Sequence, residues 1–353
     1  MGQVLAFVMK RLVWAVVLAW LITLICFVIF FVLPRNQPGA NRQGIVQPQL
    51  NTAYDLHSDS LPRQYVTFLQ HVVRGDLGQS LRQPEDVRTM IHDAAPVTLT
   101  LMIGGTIFFL LIAFPIGILS ALYPRSFIDK GLMAFVLIGV SCHPVWLGLI
   151  FSYTLGYKAH LFPIAGYCAF ILDPNNPYQC GGPRYWAYHM VLPWFTFALL
   201  FAAYYARMIR ASLLETMEED YVRTARAKGA GQWRILRKHV MHNAMIPVVA
   251  MLSMDMVVIS FTGIVFIETV FQLPGLGRVL YQALTSADLP VILGISIVVC
   301  FAVVIANLIA DIVYAIIDPT VNLTGRRRVS LWSRLRVGRP QPPVESQGAQ
   351  ASS

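Results

Sequence analysis

Charge is scarce in this chain. Only 13% of its 353 residues are Asp, Glu, Lys or Arg, against roughly 25% in soluble domains. Lysine is nearly missing: Lys10, Lys130, Lys158, Lys228 and Lys238 complete the set, and none precedes Ser or Thr. There is accordingly no G-x-x-x-x-G-K-[ST], so the chain cannot cradle ATP phosphates with a P-loop. H-E-x-x-H, C-x-x-C and G-x-S-x-G are missing too, which removes the common metalloprotease, dithiol and α/β-hydrolase arrangements and leaves no metal-ligand set. The histidines are scattered, and His143, just before Pro144, reads as a core histidine rather than a ligand. The short alternating segments of a transmembrane β-barrel do not occur either.

What is present is apolar sequence in long runs. Hydrophobic residues make up 56% and mean hydropathy is +0.59. Crossing about 30 Å of hydrocarbon takes about 20 helical residues, and six runs are long enough, at about 10–33, 97–122, 131–157, 189–213, 243–270 and 289–317. The fold class is therefore an all-α polytopic membrane protein with six transmembrane helices. The first run is too long for a signal-peptide core of about 7–15 residues and lacks a small-residue cleavage site, so it reads as a spanning helix. Pro193 and Pro247 fall in the first turns of their spans, where proline costs little.

Net charge is +9, and its placement gives an orientation. Arg207, Arg210 and the 220–239 cations crowd one connection, Arg125 and Lys130 the 123–130 turn, and six arginines the tail. The 158–188 loop has only Lys158 and Arg184, and 271–288 only Arg278. This alternation predicts cytoplasmic N and C termini. Residues 34–96 form an external loop in which Tyr65, Phe68, Leu69 and Val72 follow the i, i+3, i+4, i+7 spacing of an amphipathic helix. It serves either as a lid on the helix ends or as a surface for an external partner. The core runs over 97–317, and the tail, 318–353, has a composition that cannot bury a core; its arginines suit anionic lipid. Cys168 and Cys180 share one polar loop. If it is external, a disulfide is permitted by compartment, provided the Cα atoms come within roughly 7 Å.

The stretch DYVRTARAKGAGQWRILRKH, residues 220–239, sets six cations between two apolar runs. Thr216 and Glu219 match the T-x-x-E capping box of a helix start. Tyr221 and Ala225 share a face, and Gly229-Ala230-Gly231 should break the helix. Trp233, Leu236 and Val240 then line one face of a second short helix. The whole, over 215–240, is an elbow that returns to the membrane. Three readings compete: an ordinary positive-inside loop, a nucleic-acid binder, and a peg for a groove in a cytoplasmic partner. Tethering at both ends to the bilayer argues against the second.

RTARAKGAG resembles the EAA loop of ABC-importer permeases. EEDYVRTARAKG, HNAMIPVV, FIETVFQLPGLGRVLYQAL, NLIADIVYAIIDP and GDLGQSL are similar, in order and spacing, to the B-type permease subunit of dipeptide and oligopeptide importers. The resemblance runs from the first span to about Asn322. Arg223, Thr224, Ala225 and Gly229 stand at the positions of the general Glu-Ala-Ala…Gly pattern, whose later part departs at His239, Met241 and His242. Pro34-Arg35-Asn36-Gln37-Pro38 replaces the usual Gly-Asp-Pro, and Asp255 stands where an amide is frequent.

The resemblance implies type I ABC-importer permease architecture in a bacterial inner membrane. Its implied partners are a second homologous permease (a heterodimer), two cytoplasmic P-loop ATPases and an external binding protein or lipoprotein, with lipid around and no nucleic acid. ATP and Mg would sit on the ATPases, with no cofactor in this chain. Tyr221, Arg223, Thr224, Ala225, Arg226, Lys228 and Gly229 would couple to the ATPase. Pore or gate candidates are Asp255, which reads either as a packing carboxylate or as a partner for a peptide α-amine, and Glu268 with Pro274, Gly275 and Gly277. Nickel chelates and glutathione-like solutes are alternative cargoes; a secondary transporter is the alternative class, though no inverted repeat is visible.

Overall fold

A computed structural model describes residues 2–33, 60–170, 178, 180–262 and 264–317. The start of the external loop (34–59) and the tail (318–353) lie outside the described residues, as do the side chains of Asp255 and Asp311. The described residues are helical, with one isolated bridge, Gln79 to Asp86, and no strand.

Helix α1, Gly2–Phe27, continues as a π-helical turn, Val28–Val32. The external amphipathic helix follows as α2, Leu61–Arg74, closed by Gly75 in the left-handed region (φ 72°). Phe68 is fully buried, and Tyr65 and Val72 pack beside it against Phe27 and Phe31 of the first helix and Leu293 and Ile297 of the last. The Phe27 and Phe68 rings lie 5.7 Å apart, and Thr23 Oγ1 is 3.0 Å from the Tyr65 hydroxyl. The spacing read from the sequence thus marks the face that lies on the helix ends. In the last turn of α2, His71 hydrogen-bonds Asp76 at 2.8 Å and holds that carboxyl below its ordinary range.

Helix α3, Val87–Leu122, begins well before the expected boundary at residue 97. Val87, Ile91 and Ala94 supply a buried apolar row with helical spacing, so the polar residues between them do not stop the helix and Pro96 is absorbed within it. The expected third span is instead two helices, α4 (Phe127–Ser141) and α5 (Pro144–Phe151, extended by a π-helical segment Ser152–Lys158), bent by 101°. The cause is Pro144, which pushes the preceding residue out of the helical region; His143 has φ −66° and ψ 141°. His143 is also exposed, not a core residue, and its Nδ1 caps α5 by accepting from the Val145 N–H at 3.4 Å.

Helix α6, Pro183–Met217, packs along α3 more extensively than any other pair. Phe109, Phe197 and Tyr205 are fully buried between them, and the Trp194 indole donates to the Thr100 carbonyl at 3.0 Å. Because α6 starts at Pro183, Pro193 lies in its interior and not in its first turn. Then come α7 (Asp220–Ala227), α8 (Gln232–Ile235, continued by a π-helical turn Leu236–Val240), α9 (Met241–Thr262), α10 (Ile264–Val270), α11 (Leu276–Ser286) and α12 (Leu289–Ile317).

Among the described residues, four helices are long and apolar enough to cross a membrane, or five if the bent pair counts as one span. Of the six expected spans, the third is broken between α4 and α5. The protein remains a multi-pass helical membrane protein.

Candidate functional site

The basic stretch forms an elbow, and its two arms are fastened to the core from within. Helix α6 runs four residues past the expected end of its span, so Thr216 lies in its last turn, buried, donating to the Ser212 carbonyl at 2.8 Å. Thr216 is therefore no capping residue; the T-x-x-E pattern straddles a helix end, and Glu219, with extended backbone, precedes α7. Asp220 and Arg223 approach to 3.8 Å with both side chains in solvent, a pair worth little.

Within α7, Val222 is fully buried and belongs to the same apolar core as residues of α3, α6 and α9. Ala225 is half-buried, and Arg223, Thr224, Arg226 and Lys228 point outward. Tyr221 is 40% exposed, and its hydroxyl accepts from Asn243 Nδ2 at 2.9 Å. Gly229 closes the helix at φ 79°, its N–H bonded to the Arg226 carbonyl at 3.0 Å. A Cβ there would meet nothing within 4 Å, so the left-handed backbone, not crowding, demands glycine.

In the second arm, Ile235, Leu236 and Val240 are buried while Trp233 is 71% exposed. The expected face of Trp233, Leu236 and Val240 is thus corrected: the wider π turn brings Ile235 and Val240, five apart, onto one side. Ser212 Oγ donates to the Ala244 carbonyl at 2.7 Å and ties α6 to α9 above the elbow. The result is an apolar root with a cationic outer surface. Val222 escaped the sequence reading; its only signal was a lone aliphatic β-branched residue among charges.

A second constellation sits beyond α9. Glu268 on α10 is fully buried. Its carboxylate accepts from Thr98 Oγ1 at 2.7 Å and from the backbone N–H groups of Gly277 at 2.8 Å and Arg278 at 3.1 Å. Thr98 Oγ1 in turn accepts from the Leu276 N–H at 2.8 Å. The acceptors meet the orphan donors at the start of α11, where the helix dipole favours negative charge. A Cβ on Gly275 would overlap the Glu268 carboxyl, and one on Gly277 would come within 2.7 Å of Val265 Cα. Half-buried Pro274 bridges this knot to Leu273, whose N–H bonds the Glu268 carbonyl at 2.9 Å. Glu268, Pro274, Gly275 and Gly277 are therefore gathered in one place. Thr98, on α3, completes the knot and was not singled out by the sequence. Asp255 lies along α9 apart from both constellations in sequence, its side chain outside the described residues. Elsewhere, Cys168 and Cys180 are joined, with Cα atoms 5.6 Å apart.

Comparison with known proteins decides the family. Residues 113–323 match the binding-protein-dependent transport system inner membrane component family, and residues 4–102 match the N-terminal region of such membrane components. The chain belongs to this family. It is a multi-pass inner-membrane permease component of an ABC transporter, in a family that implies ATPase and substrate-binding companions. The oligopeptide transport system permease protein AppB of Bacillus subtilis (strain 168) is 33% identical over 90% of this chain and 99% of its own length. A putative peptide transport system permease of Brucella suis biovar 1 is 32% identical, with 90% and 99% covered. The dipeptide transport system permease protein DppB of Bacillus subtilis (strain 168) is 29% identical, with 86% and 93% covered. The fold resembles a chain of the MetNI methionine ABC transporter, solved in inward-facing conformations, with a TM-score of 0.51 and 17% identity over 65% of this permease and 96% of that chain.

Proposed function

We propose that this permease forms half of the pathway of an ATP-driven importer of dipeptides or oligopeptides. The other half is a second, homologous permease. Two separate P-loop ATPases seat the elbow, and an external binding protein delivers the cargo. The chain itself catalyses nothing and holds no cofactor; ATP and Mg belong to the ATPases. The observation that carries the reading is the elbow's build: a buried apolar root, Val222 with Ile235, Leu236 and Val240, beneath outward Arg223, Arg226 and Lys228. Such a shape can take force from a groove and pass it to α6 and α9 without bending at its base. Tyr221, Thr224, Ala225 and Gly229 shape the surface that enters the groove, and the cations orient it.

In this mechanism both termini and the elbow face the cytoplasm. ATP binding closes the ATPase pair, the elbows follow, and the helices rock as bodies to open outward. The Glu268 knot acts at the other side: by locking the start of α11 to α3 and α10, it keeps the 271–278 turn in register with the moving helices as a gate brace. Asp255 remains a pore candidate on α9. The relatives' descriptions support peptides over nickel chelates or glutathione-like solutes. The Cys168–Cys180 link braces the outer loop, consistent with an oxidising outer face.

Uptake of labelled di- and oligopeptides by cells with and without this chain tests the cargo. Deletion should abolish peptide uptake by this importer, and re-expression should restore it. Unchanged peptide uptake alongside lost uptake of a nickel chelate or glutathione would overturn the peptide assignment.

A further inference from the structure

One buried charge plays no part in either constellation. Asp129, in the first turn of α4, is 5% exposed. Its carboxylate is saturated. Arg210 of α6 grips it with two prongs, Nε to Oδ1 at 3.0 Å and Nη2 to Oδ2 at 2.8 Å. The Arg125 N–H donates to Oδ2 at 2.9 Å, and the fully buried Ser120 hydroxyl, near the end of α3, donates to Oδ1. Ser126 Oγ accepts from the Asp129 N–H at 3.1 Å and starts α4. Four donors from α3, the turn after it and α6 therefore converge on one side chain.

The position of Arg210 gives this cluster its meaning. It lies two turns before the end of α6, the helix that runs straight into the elbow. The other base of the elbow is held by Ser212 to Ala244. With its planar two-pronged contact, Arg210 prevents α6 from sliding or turning against the α3–α4 turn. Without it, motion of the elbow could be absorbed as slip between α6 and that turn. Arg210 keeps 29% of its side chain exposed, so its charge has a route to water when no carboxylate faces it.

We infer that Asp129 and Arg210 are positioning residues that make the α3–α4 turn, α6 and the elbow one rigid lever, so that movement of the ATPases reaches the pore undiminished. The inference rests on the reading of the elbow as the ATPase seat. Its signature is coupling, not fold: loss of the clamp wastes ATP. A residue that merely stabilises the fold lowers hydrolysis and uptake together.

The test uses the whole transporter in proteoliposomes: this permease, its companion permease, both ATPases and the peptide-loaded binding protein. ATP hydrolysis and labelled-peptide uptake are measured on the same preparation. For Asp129→Asn, the assembled complex and its hydrolysis should stay within about twofold of wild type while peptide moved per ATP falls about tenfold, the upper part of the range for residues on a coupling path. Arg210→Lys keeps both charges but loses the two-pronged geometry, and should lower the ratio about threefold. It decides the matter if Asp129→Asn does not assemble. An unchanged ratio in the assembled variants, or hydrolysis and uptake falling in equal proportion, overturns the clamp. If the wild-type permease retains no ATPase, the elbow reading fails first, and that result is separate from a coupled wild type with a normally coupled variant.

Discussion

Replacing Gly229 by proline should strip the permease of its ATPases and reduce uptake about a hundredfold. Gly229 sits at φ 79° and its N–H closes α7 onto the Arg226 carbonyl at 3.0 Å. Proline has φ near −65° and no N–H. The turn between the arms must then re-form, at a cost of about 3 kcal/mol or more, and each 1.4 kcal/mol is tenfold in an equilibrium. The root at Val222 lies in the first turn of α7, about two turns before Gly229, and should hold, so the variant should still reach the membrane. Gly229→Asn is the control. Asparagine tolerates the left-handed region, and a Cβ there has open space, so ATPase retention should stay near wild type. Co-purification of ATPase with the permease measures both. Normal retention by the proline variant would show that the elbow's shape is not what the ATPase reads.

The second large effect lies at the other constellation. Glu268→Ala should cut uptake more than about tenfold while ATPase retention persists, because the elbow is untouched. The change orphans the Gly277 and Arg278 N–H groups, each costing about 1–3 kcal/mol when buried without a partner. Thr98 loses its shorter hydrogen bond as well and keeps only the Ala94 carbonyl at 3.5 Å. Glu268→Gln retains a carbonyl oxygen of the same size and should lose less. Gly275→Val should mimic Glu268→Ala from the opposite side, since its side chain would occupy the space of the carboxyl. Wild-type uptake by both Glu268→Ala and Gly275→Val would remove the brace from the mechanism.

The parts legible in the sequence are those with short-range signatures. Hydrophobic length announced helices, i, i+3, i+4, i+7 spacing announced the buried side of α2, and Gly229 announced the break between the arms. Signals that depend on where a helix ends were misread. Thr216 looked like a cap because the end of α6 was set by hydropathy, and hydropathy drops at the membrane surface while the helix continues. The i, i+3, i+7 spacing sets Trp233 on one face with Leu236 and Val240, but Ile235 takes the buried side with them and Trp233 is left outside. The bend at His143 was available in principle from Pro144, but the apolar run hid it. Thr98 and Arg210 were beyond reach: their partners, Glu268 and Asp129, lie 170 and 81 residues away, and no local pattern marks such pairs.

The most direct measurement is solute accumulation in vesicles that hold ATP on the side of the elbow. With this permease, its companion, the ATPases and the loaded binding protein, labelled peptide should accumulate and stop when ATP is withheld. With this chain alone, nothing should accumulate. Full-rate accumulation by the chain alone, indifferent to ATP, would contradict the claim that the elbow conveys an external motor's work into the helices.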